Sequence, residues 1–127
     1  MKILVAYDGS VQSRHALSEA VEIARRFNGS MTVLNVRSLS NAKDQDAGKH
    51  STVNDLKEAL RRFEGHYEIV FKEGRDISDA ILVYAKDGEF DLIAIGRRGT
   101  SSLKTILLGS ISRRVVSKAS CDVLVTK

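Results

Sequence analysis

The sequence has 127 residues, 43% hydrophobic and 28% charged, with a formal net charge of +4. That profile fits one globular domain over residues 1–127 with a core of its own, and excludes a fibrous or disordered chain. No apolar run approaches the roughly 20 residues of a membrane-crossing helix, and the apolar stretch at residues 3–7 is too short for a signal-peptide core, so the expected address is cytoplasmic.

Cys121 is the only cysteine, which rules out an internal disulfide, and His15, His50 and His66 are too scattered for a zinc site. A mild basic excess suits nucleic acid, an anionic surface or an acidic small ligand and does not choose among them. In chain order, residues 2–7 read as a buried strand stopped by Asp8-Gly9-Ser10. Ser10 caps a helix whose apolar positions are Leu17, Ala20, Val21, Ala24 and Phe27, and Asn28-Gly29 ends it.

Residues 31–36 form a second strand. Residues 37–50, polar and without periodicity, read as a long mobile loop. A short helix follows over 53–63, with Leu56, Leu60 and Phe63 on one face, then an edge strand at 67–71. Asp76 caps the next helix and Asp79 reaches back in capping-box fashion. Residues 91–95 make a central strand, Ile111, Val115 and Ala119 stripe a last helix, and Val123, Leu124 and Val125 form a fifth strand. Alternating strands and helices predict an α/β domain, a parallel sheet with helices on both faces.

In such open sheets ligands sit beyond the carboxyl ends of the strands, at a switch in strand order. Three segments leave strands there: Asp8-Gly9-Ser10, Val36-Arg37 and Gly96-Arg97-Arg98-Gly99. The most informative stretch is 96–112. Gly96 and Gly99 bracket two arginines, and Gly109-Ser110 opens a helix ten residues later. Glycines let backbone approach a ligand closely, and a helix start offers free N–H groups and the positive end of the dipole to phosphate. Thr100, Ser101, Ser102, Ser110 and Ser112 add hydroxyls. A Walker lysine is absent.

Gly96-Arg97-Arg98-Gly99, nine residues and then Gly109-Ser110 resembles the nucleotide motif of ATP-binding universal stress proteins. The resemblance extends to residues 107–112, to 121–125, to Asp8-Gly9-Ser10 and to Leu34-Asn35-Val36, and covers nearly the whole chain outside residues 37–63. It implies an open twisted five-stranded parallel sheet in order 3-2-1-4-5, a Rossmann-like nucleotide-binding fold. It also implies ATP with Mg2+ or Mn2+ bridged by the phosphates, and a nucleotide-dependent switch in the stress response, not an enzyme. Asp8 would take the ribose hydroxyls, and Val36 would hold adenine through its backbone with Ala6 lining the pocket. Gly96, Arg97, Arg98, Gly99, Thr100, Ser101 and Ser102, with Gly109, Ser110, Ile111 and Ser112, would hold the phosphates. A homodimer through Val123, Leu124 and Val125 is implied as well. The chain departs from the family at Asp122 and Ala6, where proline is usual; the first bears on the dimer edge, the second on pocket lining alone.

Residue by residue, plainer readings stand beside these. The glycine pairs also suit simple turns, Asp8 a turn-forming carboxylate, and Arg97 and Arg98 a solvated pair. Arg113 and Arg114 are expected to face solvent. Arg37 lies near the expected adenine edge but as a loop side chain is not expected to stack on it. Cys121 is expected to be buried and inert. The alternatives for the whole chain are a slow ATPase or nucleotidyl-transfer enzyme, and a nucleotide-independent dimeric interaction protein. Nucleic-acid binding is disfavoured by the few aromatic residues and dispersed basic ones.

Overall fold

The computed structural model describes residues 1–39, 45–97 and 108–127. Along them run β1 (Lys2–Ala6), α1 (Val11–Phe27), β2 (Ser30–Ser38), α2 (Gln45–Ala59), β3 (Tyr67–Gly74), α3 (Ile77–Asp87), β4 (Leu92–Gly96), α4 (Ser110–Lys118) and β5 (Asp122–Thr126). The strands pair in parallel in the order β3-β2-β1-β4-β5, as the resemblance implies. β1 is central and covered on both faces, which is why Ile3, Leu4 and Val5 are an unbroken apolar run with no exposed surface.

Alternation of side chains along β1 divides the core in two. Ile3 and Val5 pack with Ala16, Leu17, Ala20 and Ala24 of α1 and Leu56 of α2. Leu4 and Ala6 pack with Ile81 and Ala85 of α3 and Val115 of α4. The chain leaves β1 toward β2 on one side and reaches β4 on the other, so the switch in strand order lies at the carboxyl end of β1.

Local signals placed most element ends. Ser10 Oγ accepts the Ser13 N–H (3.2 Å) at the start of α1, and Asn28, at φ 52°, closes it in the left-handed conformation. Asp76 Oδ1 accepts the Asp79 N–H (2.9 Å) at the start of α3. Asp79 does not complete a capping box, because its carboxylate is taken by Arg114 of α4 (2.6 Å).

Three further expectations are corrected. Residues 37–50 are not one loop: β2 continues in register with β3 to Ser38 opposite Gly74, and α2 already begins at Gln45. The extension is favoured by Arg37, whose guanidinium lies over the Phe71 ring of β3 (5.7 Å to the centroid). The helix expected over 53–63 ends at Ala59, although Leu60 and Phe63 beyond it stay buried. Phe27 and Ile111 do not join the core stripes; they are 63% and 36% exposed. In α4 the buried pair is Ser112 and Val115, three apart, and Ile111 falls off that line.

Candidate functional site

The paired positions Leu34, Ala6 and Ile95 stand side by side at the ends of β2, β1 and β4. Two residues further along each strand come Val36, Asp8 and Arg97, so the topology brings these three together at the switch point. Ala6 is 8% exposed and closes the floor beneath them.

Asp8 is exposed at the head of the β1–α1 connection, and its Oδ1 accepts the Ser10 N–H (2.9 Å). That bond is an Asx turn, which leaves Oδ2 for other donors. Gly9 makes the turn possible at φ 84°. Val36 is half-buried and bonded in register to β3. In a parallel ladder, residues of the same parity turn their N–H and C=O to the same side. The Leu34 carbonyl accepts the Tyr7 N–H (2.9 Å), so the N–H and C=O of Val36 also face the β1 side. β1 has ended there, and among the described residues neither group has a backbone partner.

On the other side of Asp8, the end of β4 is tied to the start of α4. The Arg97 carbonyl accepts both the Gly109 N–H (2.6 Å) and the Ser112 hydroxyl (2.5 Å), while the Arg97 N–H donates to the Thr126 carbonyl of β5 (2.7 Å). Gly109 is the N-cap of α4, and the first bond back to its carbonyl comes from Arg113. The N–H groups of Ser110, Ile111 and Ser112 therefore precede the helical ladder and carry the positive end of its dipole.

Ser112 is 2% exposed, and its hydroxyl serves this tie instead of pointing to solvent; a ligand would meet its N–H. Arg97 Nε is buried without a hydrogen-bond partner among the described residues. An orphaned guanidinium N–H costs free energy until an acceptor reaches it, and an anion is the natural one.

Gly96 sits against the first turn of α1: a Cβ there would lie 2.6 Å from the Gln12 Cβ. The glycine thus serves close packing of α1 on β4, beneath the site. Arg98, Gly99, Thr100, Ser101 and Ser102 lie outside the described residues. Val123, Leu124 and Val125 are half-buried on β5, remote from Val36 in strand order.

Sequence reasoning missed a neighbouring cleft of about 300 Å3. It lies between the starts of α3 and α4, with Arg75, Asp76, Ser110, Ile111 and Arg114 on its walls and Ser38 of β2 at its edge. Arg114 is not simply solvated, for it reaches Asp79 through Nη2 (2.6 Å) and Nε (3.2 Å). The available signal was its spacing: four residues after Ser110, it shares the face of α4 that carries that serine. Arg37 was expected to sit in a loop; it is instead bonded to Asn35 and laid on Phe71. Cys121 is half-buried, and desolvation, followed by the charges of Asp122 and Asp91, pushes its thiol pKa up, which keeps it protonated and unreactive.

Among the described residues no group of three or more His, Cys, Asp or Glu side chains is placed to hold a metal ion, and no helix is long and apolar enough to cross a membrane. The family model described as the universal stress protein family matches residues 1–127. A putative universal stress protein of Staphylococcus epidermidis is 30% identical over 139 residues, covering 98% of this chain and 82% of its own length. Among solved structures, the universal stress protein UspA of Lactobacillus plantarum is 28% identical with a TM-score of 0.83, over 100% of this chain and 97% of that one. A universal stress protein of Archaeoglobus fulgidus in complex with dAMP is 26% identical with a TM-score of 0.74, over 100% and 98%.

Proposed function

The chain belongs to the universal stress protein family, and from that premise we propose that it binds ATP at the carboxyl ends of β1, β2 and β4 and acts as a nucleotide-dependent switch in the stress response. One observation carries the reading: the Arg97 carbonyl, held by Gly109 and Ser112, fixes three open N–H groups of α4 beside the strand end next to Asp8. Phosphate oxygens fit those N–H groups, and the Arg97 Nε–H is one more donor without a partner among the described residues. Asp8 Oδ2 fits the ribose hydroxyls. The open N–H and C=O of Val36 match the donor and acceptor on the Watson–Crick edge of adenine, a pairing guanine reverses. The similarity to the dAMP-bound Archaeoglobus protein supports an adenine nucleotide.

Arg97, Gly109, Ser110, Ile111 and Ser112 are the described residues assigned to the phosphate cradle, Gly96 supports it from beneath through its contact with α1, and Arg98, Gly99, Thr100, Ser101 and Ser102 are assigned to it by motif. Mg2+ or Mn2+ would be held chiefly by the phosphates, since Mg2+ at nucleotide sites takes its oxygens from phosphate and water with one or two protein ligands at most. Binding and release, not turnover, is the activity this arrangement serves. Homodimerisation through β5 completes the proposal.

The test is a thermal-shift series with ATP, AMP, GTP and pyrophosphate, each with and without magnesium. Ligand at 100 times its dissociation constant adds about 2.7 kcal/mol, which raises the midpoint by several degrees in a domain of this size. ATP is expected to raise it and GTP not. Gly109→Asp should abolish the shift by placing a carboxylate among the phosphates, and Asp8→Ala should weaken binding roughly tenfold or more. No shift with any nucleotide overturns the reading; steady ATP turnover, lost in Gly109→Asp, would replace it with the ATPase.

A further inference from the structure

The ion pair between Asp79, in the first turn of α3, and Arg114, in the second turn of α4, ties the two helices together, and Arg114 is also a wall of the cleft beside the first turn of α4. Both side chains are about half exposed, 53% for Asp79 and 48% for Arg114. Arg114 spends Nε and Nη2 on the same oxygen, Asp79 Oδ1, and keeps Nη1 outside the pair. Side chains on a helix lean toward its N-terminus, so Arg114 reaches back over the turn that carries Ser110 and Ile111. Those two residues line the cleft with it.

Resting on the nucleotide reading above, we propose that the Asp79–Arg114 pair is a latch that the outer phosphates of a nucleoside triphosphate displace. In the free chain Asp79 holds the guanidinium on the α3 side. A polyphosphate at the first turn of α4 offers more negative charge and two-pronged acceptors, which a planar guanidinium prefers to one carboxylate oxygen. Arg114 then turns to the ligand, while Asp79 stays solvated at the positive end of α3, where its charge is tolerated. The exchange costs little because the pair is exposed and neither charge becomes buried. AMP, whose single phosphate is held by the N–H groups of α4, does not reach Arg114. The latch thus makes the number of phosphates legible at the contact between α3 and α4.

The experiment is calorimetric titration of ATP and AMP into the parent chain, Asp79→Asn, Arg114→Gln and the double variant, with unliganded melting curves as a check on folding. Asp79→Asn frees the arginine and should tighten ATP about three- to tenfold with AMP unchanged. Arg114→Gln should weaken ATP about tenfold, again without moving AMP, and the double variant should match Arg114→Gln alone. An ATP-to-AMP affinity ratio that is the same in all four proteins overturns the latch and leaves nucleotide binding standing. A parent chain that binds neither nucleotide overturns both.

Discussion

A Cβ on residue 96 would lie 2.6 Å from Gln12 Cβ, 2.9 Å from the Gln12 carbonyl carbon and 3.1 Å from the Ser13 nitrogen. Two of the three neighbours are backbone atoms of the first turn of α1, so no rotamer change relieves the clash. That turn is also held from the other side, because Thr126 Oγ1 donates to the Gln12 carbonyl (2.9 Å) and Ser13 is tied to Ser10. Gly96→Ala must therefore separate α1 from β4. The expected loss is about 1–3 kcal/mol of unfolding free energy, the usual cost of forcing extra volume into a packed contact. Guanidinium denaturation measures it, with a lowered midpoint at unchanged slope. A loss under about 0.5 kcal/mol, the range of ordinary surface changes, would mean that α1 yields freely and that the glycine is there for the loop instead.

At the scale of the element, the starts of α3 and α4 are secured by different chemistry. Asp76 caps α3 with its carboxylate, and its pKa lies below the usual 3.8, chiefly because the Ser78 hydroxyl donates to it and then because the Asp79 N–H does. A carboxyl with a depressed folded pKa adds stability above its unfolded value and loses it as pH falls through the folded value. Asp76→Ala should accordingly melt below the parent at pH 7, and the gap should narrow below pH 3.8. Asp76→Asn retains a good cap and should remove most of the pH dependence; melting curves from pH 7 to pH 2.5 decide. This cap was legible in the sequence because it needs only a carboxylate and a following N–H, three residues apart. The strands were legible from apolar runs, and the glycine spacing pointed to the cradle proposed above. What stayed hidden depends on partners far along the chain. Asp79 lies in the first turn of α3, and only the packing of α4 shows that its partner is Arg114. Ser112 reads as a free hydroxyl until the Arg97 carbonyl is seen against it. The extension of β2 to Ser38 rests on pairing with β3, which no local polarity pattern reveals.

For the whole molecule, the open sheet leaves two edges, β3 and β5, and they are unequally guarded. β3 carries exposed Glu68, Lys72 and Glu73, with Lys72 folded over the Tyr84 ring and Arg37 and Lys49 over Phe71. Charges on an edge strand discourage pairing with another chain. On β5 the half-buried run Val123, Leu124 and Val125 has Asp122 as its one charged neighbour within the strand. Two copies related by a two-fold axis can add β5 to β5, each satisfying the other's unpaired backbone and covering the three apolar side chains. A carboxylate at Asp122 weakens this edge relative to proline but does not remove the apolar run. The expected result is a mass by light scattering that rises from monomer to dimer with concentration. Val123→Lys, which puts a cation at the centre of the contact, should shift the midpoint at least about tenfold, or about 1.4 kcal/mol. Glu68→Lys on the opposite edge should leave the mass unchanged. The Arg97 N–H is anchored on the Thr126 carbonyl inside the sheet, not on the outer edge, so monomeric Val123→Lys should still melt higher with ATP. A parent chain that is monomeric at every concentration rejects pairing through β5, and an ATP shift lost together with the dimer would place part of the binding site across the two copies.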